Sequence, residues 1–180
     1  PDECNIMASV LAQGLNVGLF DMAAISDISY SELLRASQNF LRPDTLRDAN
    51  DTVVNTLSTL PIFSSYHLLN NAIHSSSDGQ KFETQIHTIN SRYSPKYFGL
   101  QKGITAYTLV ANHIPIHAKI IGANEHESHY VFDILFNNTS DIVPSIHSTD
   151  THGTNEVNFA ILDIFGYQFA RRYKSLGTRD

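Results

Sequence analysis

Cysteine is almost absent from this 180-residue chain, in which Cys4 is the only one. A single thiol excludes an internal disulfide framework and is typical of a reduced intracellular protein. Long apolar runs are also lacking, since no stretch approaches the roughly 18 consecutive apolar residues that a membrane-spanning helix requires. The first residues contain no basic segment followed by an apolar core, so we expect no secretory signal here. We therefore expect a cytoplasmic protein without a membrane partner.

Basic residues are scarce as well, because 12 lysines and arginines stand against 18 acids and give a formal net charge of −6. Such a chain is a poor general wrapper of nucleic acid, since wrapping depends on cations that neutralise phosphates. Two small basic clusters could nevertheless contact DNA, although solvated surface is the commoner role of clusters of this size. Their members are Lys81, Arg92, Lys96, Lys102, Arg171 and Arg172.

Helical patterns dominate residues 1–70. Ser29 and Glu32 have the three-residue spacing of a capping box, which predicts a helix start. This helix should end before Pro43, because a proline disfavours helical backbone at the residue that precedes it. A helix-turn-helix DNA reader is one interpretation of this region, but Arg35 is the only cation on its second helix. We expect an ordinary helical subdomain.

Beyond residue 70 the pattern changes to strands alternating with helices, which predicts an α/β fold. Alternating residues over 73–77 predict a short strand that ends in a turn at Asp78-Gly79. Asn124 and Glu127 have the spacing of a helix cap and its acid. Further strands are predicted at 104–110, 114–120 and 145–149, and a further helix begins near residue 154.

Two aspartates, Asp78 and Asp150, each follow a predicted strand and lie between hydroxyl-bearing residues and a nearby glycine. If the two strands are neighbours, both carboxylates meet at one rim of the sheet, where ligands tend to bind. Two anions about 5 Å apart repel by roughly 3 kcal/mol at an effective dielectric near 20, which favours a bound cation. Mg²⁺ suits such a pair because it takes one or two carboxylates together with substrate phosphate oxygens. On spacing alone, aspartates that form turns are the commoner interpretation.

Two other interpretations concern histidines and aromatic residues. His147, Asp150 and His152 could form a zinc cluster, since imidazole and carboxylate both bind zinc, but closely spaced histidines are more often surface residues. His152 could instead orient Asp150 or a phosphate without binding the metal. Tyr93, Tyr97 and Phe98, interleaved with Arg92 and Lys96, could stack on DNA bases, although core packing is the commoner use of such aromatic residues.

The segments around these residues resemble the transposases of the Tn-three family, in the same order along the chain. They are Ser76-Ser77-Asp78-Gly79-Gln80, Arg92-Tyr93-Ser94-Pro95-Lys96-Tyr97-Phe98, Gly103-Ile104-Thr105-Ala106-Tyr107-Thr108 and Thr149-Asp150-Thr151-His152-Gly153. The resemblance implies a DDE-type recombinase with an RNase H-like mixed sheet flanked by helices. Residues 71–180 would then be a partial catalytic domain that lacks its C-terminal part, preceded by the helical subdomain.

The resemblance also implies that Asp78 and Asp150 bind catalytic Mg²⁺, with Mn²⁺ as a substitute. The implied reaction is DNA cleavage at transposon ends and strand transfer into target DNA during replicative transposition in a bacterial-type cell. The family's third acid, a glutamate, lies further downstream, and neither Glu156 nor Asp163 takes that role. We therefore expect the chain to be inactive alone. We also expect the full-length protein to self-associate.

Two alternatives stay open. One is a metal-dependent nuclease or phosphoesterase on the same fold, which would need no transposon end. The other is a non-catalytic DNA-binding or interaction module, which would show no dependence on metal.

Overall fold

A computed structural model describes residues 2–68, 71–150 and 155–170 of the chain. The chain divides into two compact units, residues 1–50 and 51–180. This division lies upstream of residue 70, because Val54 and Phe63 belong to the core of the second unit. Within the described residues, every helix is too short or too polar to cross a membrane.

The first unit packs three helices around a small core of its own. The helices are α1 (Glu3–Gly14), α2 (Leu19–Ile25) and α3 (Tyr30–Phe40). Ser29 caps α3 by accepting a hydrogen bond from the backbone N–H of Glu32, whose carboxylate in turn accepts from the backbone N–H of Ser29. The predicted capping box is therefore confirmed. The helix also ends before Pro43, as that proline requires.

The remaining elements lie in or extend into the second unit. The helices are α4 (Pro43–Ser58), which contains the division between the units, α5 (Pro61–Ser64), α6 (Pro95–Phe98), a 3-10 helix (Glu127–Tyr130), α7 (Val131–Phe136) and α8 (Glu156–Ile164). The strands are β1 (His74–Glu83), β2 (Arg92–Tyr93), β3 (Lys102–Ala111), β4 (Ile114–Gly122), β5 (Ile146–Thr149) and β6 (Gln168–Phe169).

The six strands form one mixed sheet. Its order is β4-β3-β1-β5-β6, and β2 pairs with β3 on the same side as β4. The pairs β4-β3 and β3-β1 are antiparallel, whereas β5 runs parallel to β1 and β6 runs parallel to β5. A three-strand antiparallel meander followed by two parallel strands that are reached through helices is the RNase H-like topology. The predicted fold class is confirmed.

The core of the second unit lies on one face of the sheet. Alternate residues of β3 are buried, including Tyr107 and Leu109, and they cluster with Ile134 of α7 and Leu162 of α8. Burying a side chain of this size stabilises the fold by about 1.5–3 kcal/mol. The other residues of β3 are only partly buried, so the two faces of the sheet differ in how well they are covered.

The turn predicted at Asp78-Gly79 is wrong. Strand β1 continues to Glu83, and β3 opposes every residue from Ser75 onward. The strand continues because β3 is equally long and because Gly79 has no side chain to obstruct the groups that pack on it.

The helix start predicted at Asn124 is also wrong. Asn124 lies in a turn, and the helical segment begins at Glu127 after His126. The backbone N–H of Gly122 donates to the Glu125 carboxylate, so this turn is stabilised by a side chain that the pattern did not single out.

Candidate active site

The structure places Asp78 and Asp150 side by side at the edge of an open cleft. On the parallel strands β1 and β5, Ser77 is in register with Thr149, and each aspartate follows one residue later. They therefore occupy equivalent positions on adjacent strands, which lie about 4.8 Å apart and direct in-register side chains to the same face. Both side chains are exposed and line a cleft of about 680 Å³. The two acids that the sequence predicted are thus brought together.

A further carboxylate, Glu127, lines the same cleft. Its side chain is only 16% exposed and lies over the backbone of Gly79, next to Asp78. A Cβ atom on Gly79 would lie 2.3 Å from Glu127 Oε1, so the close approach requires glycine. No pattern in the sequence predicts a role for Glu127 in the site. The only signal in the sequence was Gly79 itself, because a glycine inside a strand often marks a close approach by another group.

Lys81 is held inside the cleft by four groups. Its Nζ lies 4.0 Å from Glu127 Oε1 and donates hydrogen bonds to Thr105 Oγ1 and to the carbonyl oxygen of Ala123. It also lies 5.1 Å from the centroid of the Tyr97 ring. With a side chain only 15% exposed, Lys81 offsets part of the negative charge that Glu127 brings to the site.

The other basic residues predicted to contact DNA fall into three groups. Lys96 lines the cleft, with its Nζ 5.1 Å from the Tyr97 ring centroid. Lys102 instead lies over the Tyr93 ring, at 4.9 Å, and the guanidinium of Arg92 donates to the carbonyl oxygens of Ile89 and Ser91. The remaining predicted residues lie outside the described part of the chain: Arg171, Arg172 and, as a metal-orienting candidate, His152.

The zinc interpretation is wrong for His147. The ring is fully buried, and its two nitrogens face the hydroxyls of Ser75 and Ser77. Within residues 2–68, 71–150 and 155–170, no three His, Cys, Asp or Glu side chains are arranged to hold a metal. The exposed carboxylates that could hold a metal in the cleft are Asp78 and Asp150, with Glu125 and Glu127 beside them. Two hard oxygen donors suit Mg²⁺, which keeps further positions for water and phosphate oxygens.

Burial controls the ionisation of two groups close to the acids. It lowers the pKa of His147 to about 3, with a smaller contribution from the nearby His74. Burial likewise raises the pKa of Tyr107 above its ordinary range, although its hydrogen bond with Ser77 acts in the opposite direction. The negative charges of three cleft residues raise the pKa of Tyr107 further, which places all three within electrostatic reach of one buried hydroxyl: Glu127, Asp78 and Asp150.

Comparison with known proteins gives the family. The profile of the Tn3 transposase DDE domain matches residues 1–180. The chain is 30% identical over 176 residues to the transposase for transposon gamma-delta of Escherichia coli (strain K12), covering 96% of this chain and 17% of that protein. It is also 30% identical over 173 residues to the transposase for transposon Tn1546 of Enterococcus faecium, covering 95% of this chain and 17% of that protein. The chain therefore spans less than a fifth of the length of these relatives.

Among solved structures, the Mos1 transposase paired-end complex with left transposon end matches with 9% sequence identity and a TM-score of 0.37. The match covers 92% of this chain and 57% of that chain. This likeness is low, and the fold assignment rests on the strand order and directions described above. Because the family profile matches residues 1–180 of this chain, the chain belongs to the Tn3 transposase DDE domain family.

Proposed function

We propose that this chain carries two metal-binding carboxylates of a transposase active site that cleaves DNA and transfers the cut strand into a target. One observation carries the proposal: Asp78 and Asp150 occupy equivalent positions on adjacent parallel strands and line one cleft. Membership of the Tn3 transposase DDE domain family supports this class of reaction. The dependence on Mg²⁺, with Mn²⁺ as a substitute, and the replicative course of transposition are parts of the same proposal.

The charge of the cleft explains why a cation is needed. Two carboxylates about 5 Å apart repel by roughly 3 kcal/mol at an effective dielectric near 20, and Glu125 and Glu127 line the cleft beside them. A DNA phosphate would add a further negative charge. A divalent ion held by Asp78 and Asp150 would neutralise this charge, activate an attacking hydroxyl and stabilise the leaving oxygen in phosphoryl transfer.

The basic residues of the cleft have a separate role in the proposal. Lys81 and Lys96 both lie near the Tyr97 ring and face the same space as the two aspartates. A lysine in this position attracts phosphate oxygens and so aligns the DNA backbone, which lowers the entropic cost of an in-line attack. Lys81 is held more firmly than Lys96, since its ammonium group donates hydrogen bonds to Thr105 and to the Ala123 carbonyl.

The metal site is tested by thermal unfolding of the chain with and without Mg²⁺ or Mn²⁺. A ligand at about a hundred times its dissociation constant should raise the free energy of unfolding by about 2.7 kcal/mol. Asp78→Asn and Asp150→Asn should each abolish this gain, because each removes one of the two charged donors. Asp163→Asn is the matched control, since Asp163 is an exposed aspartate on α8 and should keep the full response. A wild-type melting curve that is indifferent to both ions would contradict the metal site.

The reaction is tested with the intact protein and a labelled DNA that carries a transposon end. Cleavage followed by joining to a second DNA supports transposition. Cleavage without any joining would indicate a nuclease or phosphoesterase. DNA binding that does not depend on a divalent ion, without cleavage, would indicate a non-catalytic module. Self-association of the intact protein stays a prediction.

A further inference from the structure

A chain of buried hydrogen bonds links β5, β1 and β3 close to the two aspartates. His147 Nδ1 lies 2.9 Å from Ser75 Oγ, and His147 Nε2 lies 3.0 Å from Ser77 Oγ. Ser77 Oγ lies 2.6 Å from the Tyr107 hydroxyl, and Ser75 Oγ lies 3.2 Å from the carbonyl oxygen of Ile146. The four side chains are all buried. One imidazole ring thus connects two positions on β1, and through Ser77 it reaches β3.

The donors and acceptors in this series of hydrogen bonds are consistent with a single donor-to-acceptor direction. The Ile146 carbonyl can only accept, so the Ser75 hydroxyl donates to it and accepts from the Nδ1–H of His147. The neutral ring then accepts at Nε2 from Ser77, which accepts in turn from the Tyr107 hydroxyl. The opposite direction would break the Ser75–Ile146 bond and would leave the Tyr107 proton without an acceptor among the described residues. Burial favours the neutral ring that this arrangement requires.

The hydrogen-bond chain and the two aspartates lie on opposite faces of the same strands. Side chains alternate along a strand, so Ser75 and Ser77 share the more buried face of β1 with Gly79 and Lys81, while Asp78 points to the opposite face. His147 is in register with Ser75 and also reaches Ser77, which is two residues further along β1. A slip of one residue, about 3.3 Å along the strand, would separate the ring from both hydroxyls.

The side-chain bonds matter because the backbone pairing is short. Strand β5 has only four residues, and its parallel ladder with β1 ends at Ser77 and Thr149, immediately before the two aspartates. On its other side it pairs with β6 through two residue pairs among the described residues. The backbone ladder therefore gives limited resistance to a shift of β5 along β1.

We propose that His147 is a positioning residue of the active site, which fixes β5 against β1 so that Asp78 and Asp150 stay opposite each other. The inference rests on the proposed function, because it concerns the geometry of the proposed metal ligands. In this role His147 would contact neither the cation nor the DNA. It acts through Ser75 and Ser77, and groups that orient metal ligands in this way typically change metal affinity or activity by 10–100-fold when they are replaced.

The experiment compares His147→Gln with a control variant in the intact protein. Glutamine stays neutral and polar but cannot bridge the two serines as the ring does. The control is Asn112→Gly, which removes a buried hydrogen bond of 3.2 Å to the Phe63 carbonyl at the β3–β4 turn, outside the cleft. Glycine adopts the positive φ of 45° at this position without strain.

Two quantities are measured at a temperature well below the melting temperature of every variant. They are the Mn²⁺ dissociation constant, from electron paramagnetic resonance of free Mn²⁺, and the single-turnover rate of DNA cleavage. We expect His147→Gln to weaken Mn²⁺ binding by at least about tenfold, and Asn112→Gly to leave it within about twofold of wild type. Tyr107→Phe removes only the first donor in the series of hydrogen bonds and keeps the packing of the ring, so it should weaken Mn²⁺ binding by a smaller factor. It replaces His147→Gln in the experiment if that variant does not fold.

Three outcomes would overturn the proposal in distinguishable ways. A positioning role would be excluded if folded His147→Gln kept the Mn²⁺ affinity and cleavage rate of the wild type. If His147→Gln does not fold, the same result in Tyr107→Phe would exclude it. Equal losses in His147→Gln and Asn112→Gly would indicate a general effect of stability. Wild-type Mn²⁺ affinity in Asp78→Asn would remove the proposed metal site itself, and the positioning role with it.

Discussion

Replacing Gly79 with alanine is expected to disturb the cleft through the Glu127 side chain. A Cβ atom at residue 79 would lie 2.3 Å from Glu127 Oε1, 2.5 Å from Glu127 Cδ and 2.8 Å from Thr105 Cγ2. Favourable contacts between such atoms begin near 3.5 Å, so the carboxylate would have to move by about 1 Å. Moving either neighbour costs free energy, because Thr105 is fully buried and the Glu127 carboxylate lies 4.0 Å from the Lys81 ammonium group.

The size of the effect follows from two opposing contributions. Inserting a methyl group into a packed site costs about 1–3 kcal/mol. Alanine also restricts the unfolded chain, which returns about 0.4–1 kcal/mol. We expect Gly79→Ala to lower the free energy of unfolding by about 1–2 kcal/mol, which corresponds to about 2–8 °C in melting temperature for a chain of this length.

A double-mutant cycle with Glu127→Ala identifies the group responsible. In the Glu127→Ala background the two shortest contacts are removed, and of the three nearest contacts the one with Thr105 Cγ2 is left. Gly79→Ala should then cost at least about 1 kcal/mol less than in the wild type, measured by chemical denaturation. Gly14→Ala is the control for the backbone effect, because a Cβ there meets nothing within 4 Å and should stabilise α1. Equal costs of Gly79→Ala in both backgrounds would refute the reasoning, since Glu127 would then not be the obstacle.

Three further predictions concern stability. Thr149→Val should leave the free energy of unfolding unchanged or raise it by about 1 kcal/mol in chemical denaturation. The reason is that the buried Thr149 hydroxyl has no hydrogen-bond partner among the described residues. A fall in the free energy of unfolding by more than about 1 kcal/mol would contradict this expectation. The free energy of unfolding should fall as the pH is lowered from about 6.5 towards 3, and His147 should contribute at most about 1.4 kcal/mol per pH unit to this fall. The His147 ring binds a proton in this pH range when the chain is unfolded, whereas the buried ring of the folded chain does not. A His147→Gln variant whose pH profile matches that of wild type would exclude this contribution. Ser29→Ala should cost about 1 kcal/mol through loss of the capping box of α3, measured by thermal unfolding; an unchanged melting temperature would show that the cap contributes nothing.

The elements that the sequence predicted correctly are those specified by neighbouring residues. The cap of α3 depends on Ser29 and Glu32, which are three residues apart, and it is present as predicted. The alternation over 114–120 likewise predicted the strand that the structure shows as β4. In both cases the physical cause lies within one turn of helix or a few residues of strand.

The elements that the sequence could not predict depend on partners far along the chain. Asp78-Gly79 has the composition of a turn, but the long partner strand β3 keeps it extended. Glu127 reaches Gly79 only after the sheet and the 3-10 helix have formed. Burial of His147 depends on the helices that cover one face of the sheet, and the sequence indicates only that the residue alternates with its neighbours.

The pairing of the two aspartates also determines which length changes the domain can tolerate. Exposed turns outside the helices and strands can gain or lose residues, because the parallel ladder and not the length of a turn sets Asp78 opposite Asp150. One residue inserted between His74 and Ser77 has the opposite effect, since it moves every later side chain of the strand to the other face. Asp78 would then point into the core and Ser77 into the cleft. Insertions and deletions in this domain are therefore constrained at the level of single residues within β1 and β5.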